Sequence, residues 1–161
     1  MLISPGNKHR RRVLQGIASG VLLPVALARA QLPQQRPPLM EIAPPVIKDI
    51  LKGASVTEGR VKLTIPHLAE NGHLVPVNLS VQSPMTAADH VSTLWLLSEK
   101  NPRPIIAKLS FTPGMGRAAL ITRIRLATAQ YVVALAQMSD GSFWADATEV
   151  IVTETACLDA T

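Results

Sequence analysis

The chain has 161 residues, 47% of them hydrophobic, and carries 16 lysine and arginine residues against 11 aspartate and glutamate residues. Five of the basic residues and none of the acidic ones lie in the first thirty positions, so the rest of the chain is formally neutral. A neutral chain with five aromatic residues lacks the basic patch and the stacking surface of a nucleic-acid-binding protein. We therefore expect no nucleic-acid partner, and the length after residue 30 suits one domain.

The first thirty residues are typical of a cleaved export signal. A basic stretch at residues 8–12 precedes an apolar run at residues 13–27. Ala28 and Ala30 flank one arginine in the small-x-small pattern of a cleavage site, which places the cut before Gln31. Because the apolar run is too short for a membrane span and ends in a cleavage pattern, we expect no stable membrane insertion.

Arg10 and Arg11 indicate the route of export. Paired arginines just before a moderately apolar run are typical of the twin-arginine signal, which is read by an exporter of folded proteins. The sequence therefore predicts a twin-arginine signal peptide over residues 1–30 and a mature protein in the bacterial periplasm. An ordinary secretory signal and an uncleaved N-terminal anchor are the alternative interpretations.

A proline-rich linker with one short helix is predicted over residues 31–58. Five prolines lie between residues 31 and 45, and they favour an extended chain with little structure of its own. A short helix is expected over residues 46–51, ending at Gly53, because glycine is common just after the last helical residue.

From residue 59 onward the pattern is that of a β protein. Asn71 and Gly72 separate an apolar run from an alternating one, which indicates a hairpin with a two-residue turn. The predicted strands cover residues 61–66, 75–81, 91–97, 105–111, 118–126, 131–138 and 143–153. Short strands separated by turns about every 8 to 12 residues are typical of an immunoglobulin-like β-sandwich. We therefore expect an all-β, antiparallel sandwich over residues 59–153.

The stretch 118–138 is ambiguous in this pattern. Its alanines and leucines also permit a helix. Ile121, Ile124 and Val132 favour strands, because β-branched side chains lose rotamer freedom in a helix. We expect strands here.

No cluster of residues in the sequence predicts a metal or a cofactor. His67, Glu70 and His73 surround the predicted turn, and such side chains could hold a metal ion. The register of a two-residue hairpin places Glu70 opposite His73 and displaces His67 along the ribbon, so the histidines do not converge. The sequence contains no glycine-rich phosphate loop, nucleophile elbow or CxxC motif. We expect no metal, no cofactor and no catalytic residue.

Arg123 and Arg125 alternate along a predicted strand and therefore share a face. Two guanidinium groups on one face suit an anion site or a partner surface. A solvated strand face is an equally good interpretation, and the sequence leaves both open.

Cys157 is the one cysteine in the sequence, so no intramolecular disulfide can form. A nucleophilic enzyme holds its thiol rigidly beside a base, which a terminal segment does not favour. Neighbouring Glu154 and Asp159 disfavour the thiolate because like charges repel. A thiol on such a segment suits a group that is carried into the active site of another protein. An incidental terminal cysteine is the alternative.

Short motifs along the mature chain resemble those of SoxY, the family of sulfur-carrier subunits of the thiosulfate-oxidising Sox system. In chain order they are GRV, AENG, VPV, SPMT, NP, TRIRLA and SDGS, followed by the run at residues 150–153. The resemblance implies an immunoglobulin-like sandwich that forms a heterodimer with a SoxZ-like β subunit. It suggests that the partner sheet helps to cover the run 131–138, which is apolar on both faces.

The resemblance also implies a carrier tail over residues 154–161, in which Cys157 binds sulfur intermediates covalently and carries them between Sox-type sulfur-oxidising enzymes. The family has two glycines on each side of this cysteine, whereas Thr155, Ala156, Leu158 and Asp159 stand here. Glycines make an arm flexible and slim. We expect a periplasmic carrier that is not an enzyme. The alternative is a β-sandwich subunit that pairs with a SoxZ-like partner but has lost sulfur carriage.

Overall fold

Two β-sheets make up most of the described part of the chain, residues 36–154 of the computed structural model. The elements are α1 (Leu39–Ile42), α2 (Val46–Leu51), β1 (Val56–Thr57), β2 (Val61–Thr64), β3 (Leu68–Asn71), β4 (Val75–Val81), β5 (Val91–Ser98), β6 (Ile105–Ser110), a 3-10 helix (Pro113–Met115), β7 (Ala118–Ile124), β8 (Gln130–Met138) and β9 (Phe143–Glu154). The residues of the predicted export signal (Arg10, Arg11, Ala28, Ala30 and Gln31) and Cys157 lie outside the described residues.

The two sheets pack face to face as a sandwich. The larger sheet has the order β1-β9-β8-β5-β6, with β3 also paired to β9, and the smaller sheet has the order β2-β4-β7. The predicted all-β, immunoglobulin-like sandwich is confirmed, and each of the seven predicted strands is present. The pairs β1–β9 and β3–β9 are parallel, and the other strand pairs are antiparallel.

Strand β8 contributes to two cores because both of its faces are apolar. Val132, Ala134 and Ala136 belong to the core between the sheets. Val133 and Leu135 point to the opposite face and pack in a second core beneath the N-terminal helices. The expectation that a partner sheet covers this strand is therefore wrong, since α1 and α2 of the same chain supply the cover. The described part of the molecule has three layers: helices, large sheet and small sheet.

The N-terminal helices are part of the domain. Helix α2 forms at the predicted residues, and Gly53 follows it with a positive φ of 88°. The preceding segment was expected to be extended, yet residues 39–42 form the helical turn α1. Ile42, Ile47 and Leu51 are buried against the large sheet, and burying such a side chain stabilises a fold by about 1.5–3 kcal/mol. This burial outweighs the preference of the prolines for an extended chain.

The predicted two-residue hairpin at Asn71 and Gly72 is wrong. Strands β2 and β4 do pair, with Val61 opposite Val81, but β3 lies between them in the chain and leaves the small sheet. Strand β3 runs parallel to the end of β9, and this pairing satisfies backbone groups that a tight hairpin would have paired locally. The turn after β3 therefore connects the two sheets.

The carboxylate of Asp146, in the first half of β9, joins the sheets through hydrogen bonds. Its Oδ2 accepts a hydrogen bond from the backbone N of Leu63 on β2, at 2.9 Å. Its Oδ1 accepts hydrogen bonds from the Arg36 guanidinium at 2.9 Å and from the backbone N of Ala147 at 2.8 Å. Arg36 also donates to the Ala147 carbonyl and forms an ion pair with Glu58. One side chain thus holds β2 and the segment before α1 against β9.

The turn between β8 and β9 is the predicted Asp140-Gly141 turn, with Gly141 at a φ of 85°. The Oγ and backbone N of Ser142 donate to Asp140 Oδ1 at 2.6 and 2.9 Å. These bonds stabilise the ionised carboxylate and hold the pKa of Asp140 below its usual value. The turn sets the register of β9 against β8.

We predict that Asp146→Ala lowers the free energy of unfolding by about 1–3 kcal/mol, because it leaves the Leu63 amide without its acceptor and removes one of the three acceptors of the Arg36 guanidinium. Urea denaturation of the mature protein measures the change. Glu149→Ala is the matched control, since Glu149 is an exposed acid on the same strand; it should change the stability by less than about 0.5 kcal/mol. Equal effects of the two variants would contradict a special role for Asp146.

Candidate functional site

The end of β9 is held on a neighbouring strand up to Glu154, the last described residue. Glu154 pairs with Asn71 in the parallel β3–β9 ladder, and its carbonyl accepts a hydrogen bond from Gly72 N at 3.1 Å. The Oγ of Thr153 donates to the Glu70 carbonyl at 3.0 Å. The tail that begins at residue 155 therefore continues from a fixed point. We call residues 68–74 together with residues 151–154 the tail root.

The turn that follows β3 fastens the tail root to the small sheet. The side-chain Oδ1 of Asn71 accepts a hydrogen bond from the backbone N of His73 at 2.7 Å, which is the geometry of an Asx turn. The carbonyl of Gly72 accepts a hydrogen bond from Leu126 N, just after β7, at 2.8 Å. Gly72 thus binds β9 through its amide and the end of β7 through its carbonyl.

Connectivity bounds where the Cys157 thiol can lie. Cys157 is three residues beyond Glu154 in the sequence. An extended chain spans at most about 3.3–3.6 Å per residue, so the Cα of Cys157 lies within roughly 10–11 Å of the Cα of Glu154. Any group that meets the thiol must approach the tail root to within about that distance.

The histidines beside the turn do not converge. His67 Nδ1 lies 3.1 Å from the Glu149 carbonyl on β9, whereas His73 is exposed in the turn. The predicted facing of Glu70 and His73 is wrong because β3 pairs with β9 and not with β4. Within residues 36–154 no group of three or more histidine, aspartate or glutamate side chains could hold a metal ion.

Arg123 and Arg125 are both exposed, and neither forms an ion pair with another residue in the range 36–154. Arg123 lines a shallow groove on the outer face of the small sheet, together with Leu74, Pro76 and Ile121. The backbone carbonyl of Arg125 accepts a hydrogen bond from Asn101 Nδ2 at 2.8 Å.

Exposed aliphatic residues around the tail root are the feature that the sequence analysis missed. Leu68, Leu74 and Ile151 are exposed although they are large and apolar. Their signal in the sequence is weak. Ile151 lies between the buried residues Val150 and Val152, so the alternation of side chains along the strand places it on the outward face. Leu68 and Leu74 lie on either side of a turn, where the sequence shows no such alternation.

The chain matches a known family over most of its length. Residues 47–157 match the model of the family described as sulfur oxidation protein SoxY, and the match ends on Cys157. The chain belongs to the SoxY family. The resemblance found in the sequence motifs is thereby confirmed. None of the helices within residues 36–154 is long and apolar enough to cross a membrane.

Solved structures share the sandwich. The sulfur carrier protein SoxY from Chlorobium limicola f thiosulfatophilum has a TM-score of 0.57 and 24% identity, over 68% of this chain and 94% of that one. A superoxide reductase (neelaredoxin) from Ignicoccus hospitalis has a TM-score of 0.52 and 19% identity, over 58% of this chain and 80% of that one. Proteins with such different names share one fold, so function must be argued from the site. A search of curated protein sequences found no significant match.

We predict that Asn71→Ala loosens the tail root, because it removes the acceptor that holds the turn closed. The backbone amides of Gly72 and His73 should exchange their hydrogens several-fold faster in the variant, as measured by hydrogen–deuterium exchange. Asn78→Ala is the control: Asn78 is exposed on β4 and its side chain forms no hydrogen bond to residues 36–154. Unchanged exchange in the Asn71 variant would show that strand pairing alone fixes the turn.

Proposed function

We propose that this SoxY-family protein is a sulfur carrier that binds sulfur intermediates covalently through Cys157 and is acted on by partner enzymes. The supporting observation is that the family match runs to Cys157, the one cysteine of the chain, three residues beyond the paired end of β9. The similar structure from Chlorobium limicola is itself named as a sulfur carrier protein. The protein serves as the bound substrate and not as the catalyst.

Loading of the thiol is an oxidation. When the Cys157 thiol joins the outer sulfur of thiosulfate, a sulfur–sulfur bond forms, the S–H bond breaks with release of its proton, and two electrons pass to an acceptor. In this proposal a partner enzyme accepts the two electrons. A Sox-type sulfur-oxidising enzyme is a partner of this class. The tail presents the thiol, and the enzyme supplies the acceptor and the activating groups.

The setting that we propose for this carrier is the periplasm, reached by the twin-arginine route through Arg10 and Arg11. A SoxZ-like β subunit is the proposed stable partner. Since α1 and α2 already cover one face of the large sheet, the proposal has this subunit bind an outer face or an exposed edge of the sandwich.

The alternative function is a binding subunit that pairs with a SoxZ-like partner but no longer carries sulfur. The observation that favours it is the tail itself, where Thr155, Ala156, Leu158 and Asp159 stand in place of glycines. Side chains at these positions add bulk in a narrow channel, and Asp159 repels an anionic sulfur cargo.

We predict that the mature protein from thiosulfate-grown cells carries a reductant-labile adduct on the peptide that contains Cys157, and that Cys157→Ser abolishes it. Intact mass and peptide mass spectrometry, with and without reductant, measure the adduct. Thr155→Ser is the control, since it alters the tail but keeps the thiol. A consistently bare Cys157 thiol in cells that oxidise thiosulfate would favour the binding subunit.

We predict further that the β subunit is exported together with this chain. The twin-arginine route accepts folded cargo, so a partner without its own signal can leave the cytoplasm already bound. Changing both Arg10 and Arg11 to Lys should retain both proteins in the cytoplasm, as shown by fractionation and immunoblotting. Arg29→Lys is the control because Arg29 lies outside the paired motif. Normal export of the partner in the double variant would contradict this prediction.

A further inference from the structure

Exposed aliphatic side chains are concentrated where β9 ends. Of the seven large hydrophobic side chains that are exposed among residues 36–154, Leu68, Leu74 and Ile151 belong to the tail root. Ile121, which is 81% exposed, lines the adjoining groove together with Leu74. We call these four residues the tail-root patch.

Two members of the patch are neighbours across a strand pair. Leu68 on β3 is in register with Ile151 on β9, and the next pair along, Ala69 and Val152, is buried. Side chains alternate along a strand, so Leu68 and Ile151 both point outward and lie side by side. They are 58% and 52% exposed. An outward pair on a strand next to solvent is ordinarily polar, and here both members are aliphatic.

Leu74 extends the patch toward the small sheet. It follows the turn that Gly72 fastens to Glu154, and its side chain is 70% exposed. Leu74 and Pro66 line the same groove, and Pro66 lies two residues before Leu68 in the chain. Burying one such side chain stabilises a protein by about 1.5–3 kcal/mol, and the described fold leaves this free energy unused. A partner that covers them gains that stabilisation.

We propose that the tail-root patch is the surface on which the enzyme that loads Cys157 docks; this rests on the proposed carrier function. The short reach of the thiol from the end of β9 supports this docking site. Cys157 lies within roughly 10–11 Å of Glu154. Ile151 is three residues before Glu154, which is about 10 Å along a strand, and Leu68 lies one strand spacing of about 4.8 Å to its side. An enzyme that takes the thiol into its active site therefore contacts the patch.

The occupant is a transient one. Four exposed side chains make a small patch, and transient encounters bury less than about 1,200 Å² in total, whereas permanent subunits bury much more. A permanent subunit seated on the patch would also block the approach of every enzyme to a thiol with so short a reach. The matching enzyme surface is an apolar rim around the entrance to its active site.

The test is a loading assay with the full mature protein in complex with its β subunit. A purified Sox enzyme that loads thiosulfate is the probe, and the initial rate is measured against carrier concentration. In the double variant Leu68→Ser, Ile151→Thr, we expect KM for the carrier to rise by about tenfold or more with kcat within about twofold of wild type. Leu74→Ser, made as a separate variant, should also raise KM for the carrier.

Two controls separate docking from other effects. Ile105→Thr changes an aliphatic residue that is 41% exposed on β6, at the opposite end of the large sheet from β9, and should leave KM unchanged. Alkylation of Cys157 by iodoacetamide reports whether the thiol itself is still accessible, and its rate should be the same in every variant. Circular dichroism confirms that each variant is folded.

The results that would overturn the proposal are distinct. A wild-type KM in both patch variants shows that the enzyme docks elsewhere. Loss of the β subunit from the double variant, seen by light scattering, shows that the patch is a permanent interface. If wild-type protein alkylates normally but is never loaded by the enzyme, the carrier function itself fails and the docking proposal fails with it.

Discussion

The carboxylate of Asp146 is where the large sheet, the small sheet and the segment before α1 meet. Asp146 binds the Leu63 amide on β2 and the Arg36 guanidinium with separate oxygens, so one side chain satisfies groups from two other parts of the chain. Strand β2 pairs with β4 on one side only, and the bond to Leu63 protects its open edge. Because β9 is fixed here and again at Glu154, the tail begins from a rigid strand.

The layers of the fold determine which surfaces remain for partners. The small sheet covers one face of the large sheet and the helices cover the other, so β8 is buried within a single chain. What stays open is the outer face of the small sheet, the exposed edges and the tail root. The exposed aliphatic residues at the end of β9 belong to this open surface, and the thiol cannot move far from it.

The sequence predicts the parts of this fold that depend on local pattern. Alternating apolar residues predicted β4, and β-branched residues favoured strands over a helix in residues 118–138, where the structure has β7 and β8. Strand β3 was missed because it has four residues and its partner lies about eighty positions away, while its last residue, Asn71, and the following Gly72 favour a local hairpin. The role of Asp146 could not be predicted for the same reason, because its hydrogen-bond donor, the Leu63 amide, lies on a strand distant in the sequence. The family was predictable because the order of several weak motifs is specific.

A rigid root and a tail without flanking glycines change the energetics of the proposed carriage. Fixing the backbone of one residue costs about 1–2 kcal/mol in conformational entropy, and glycine loses more freedom than other residues. Thr155 and Ala156 therefore lose less entropy than two glycines would when the tail enters a channel of matching shape. The same side chains exclude channels that are too narrow for them. A tail of this kind gains affinity for one fitted enzyme at the cost of access to several, and the short reach from Glu154 makes docking at the tail root part of that selection.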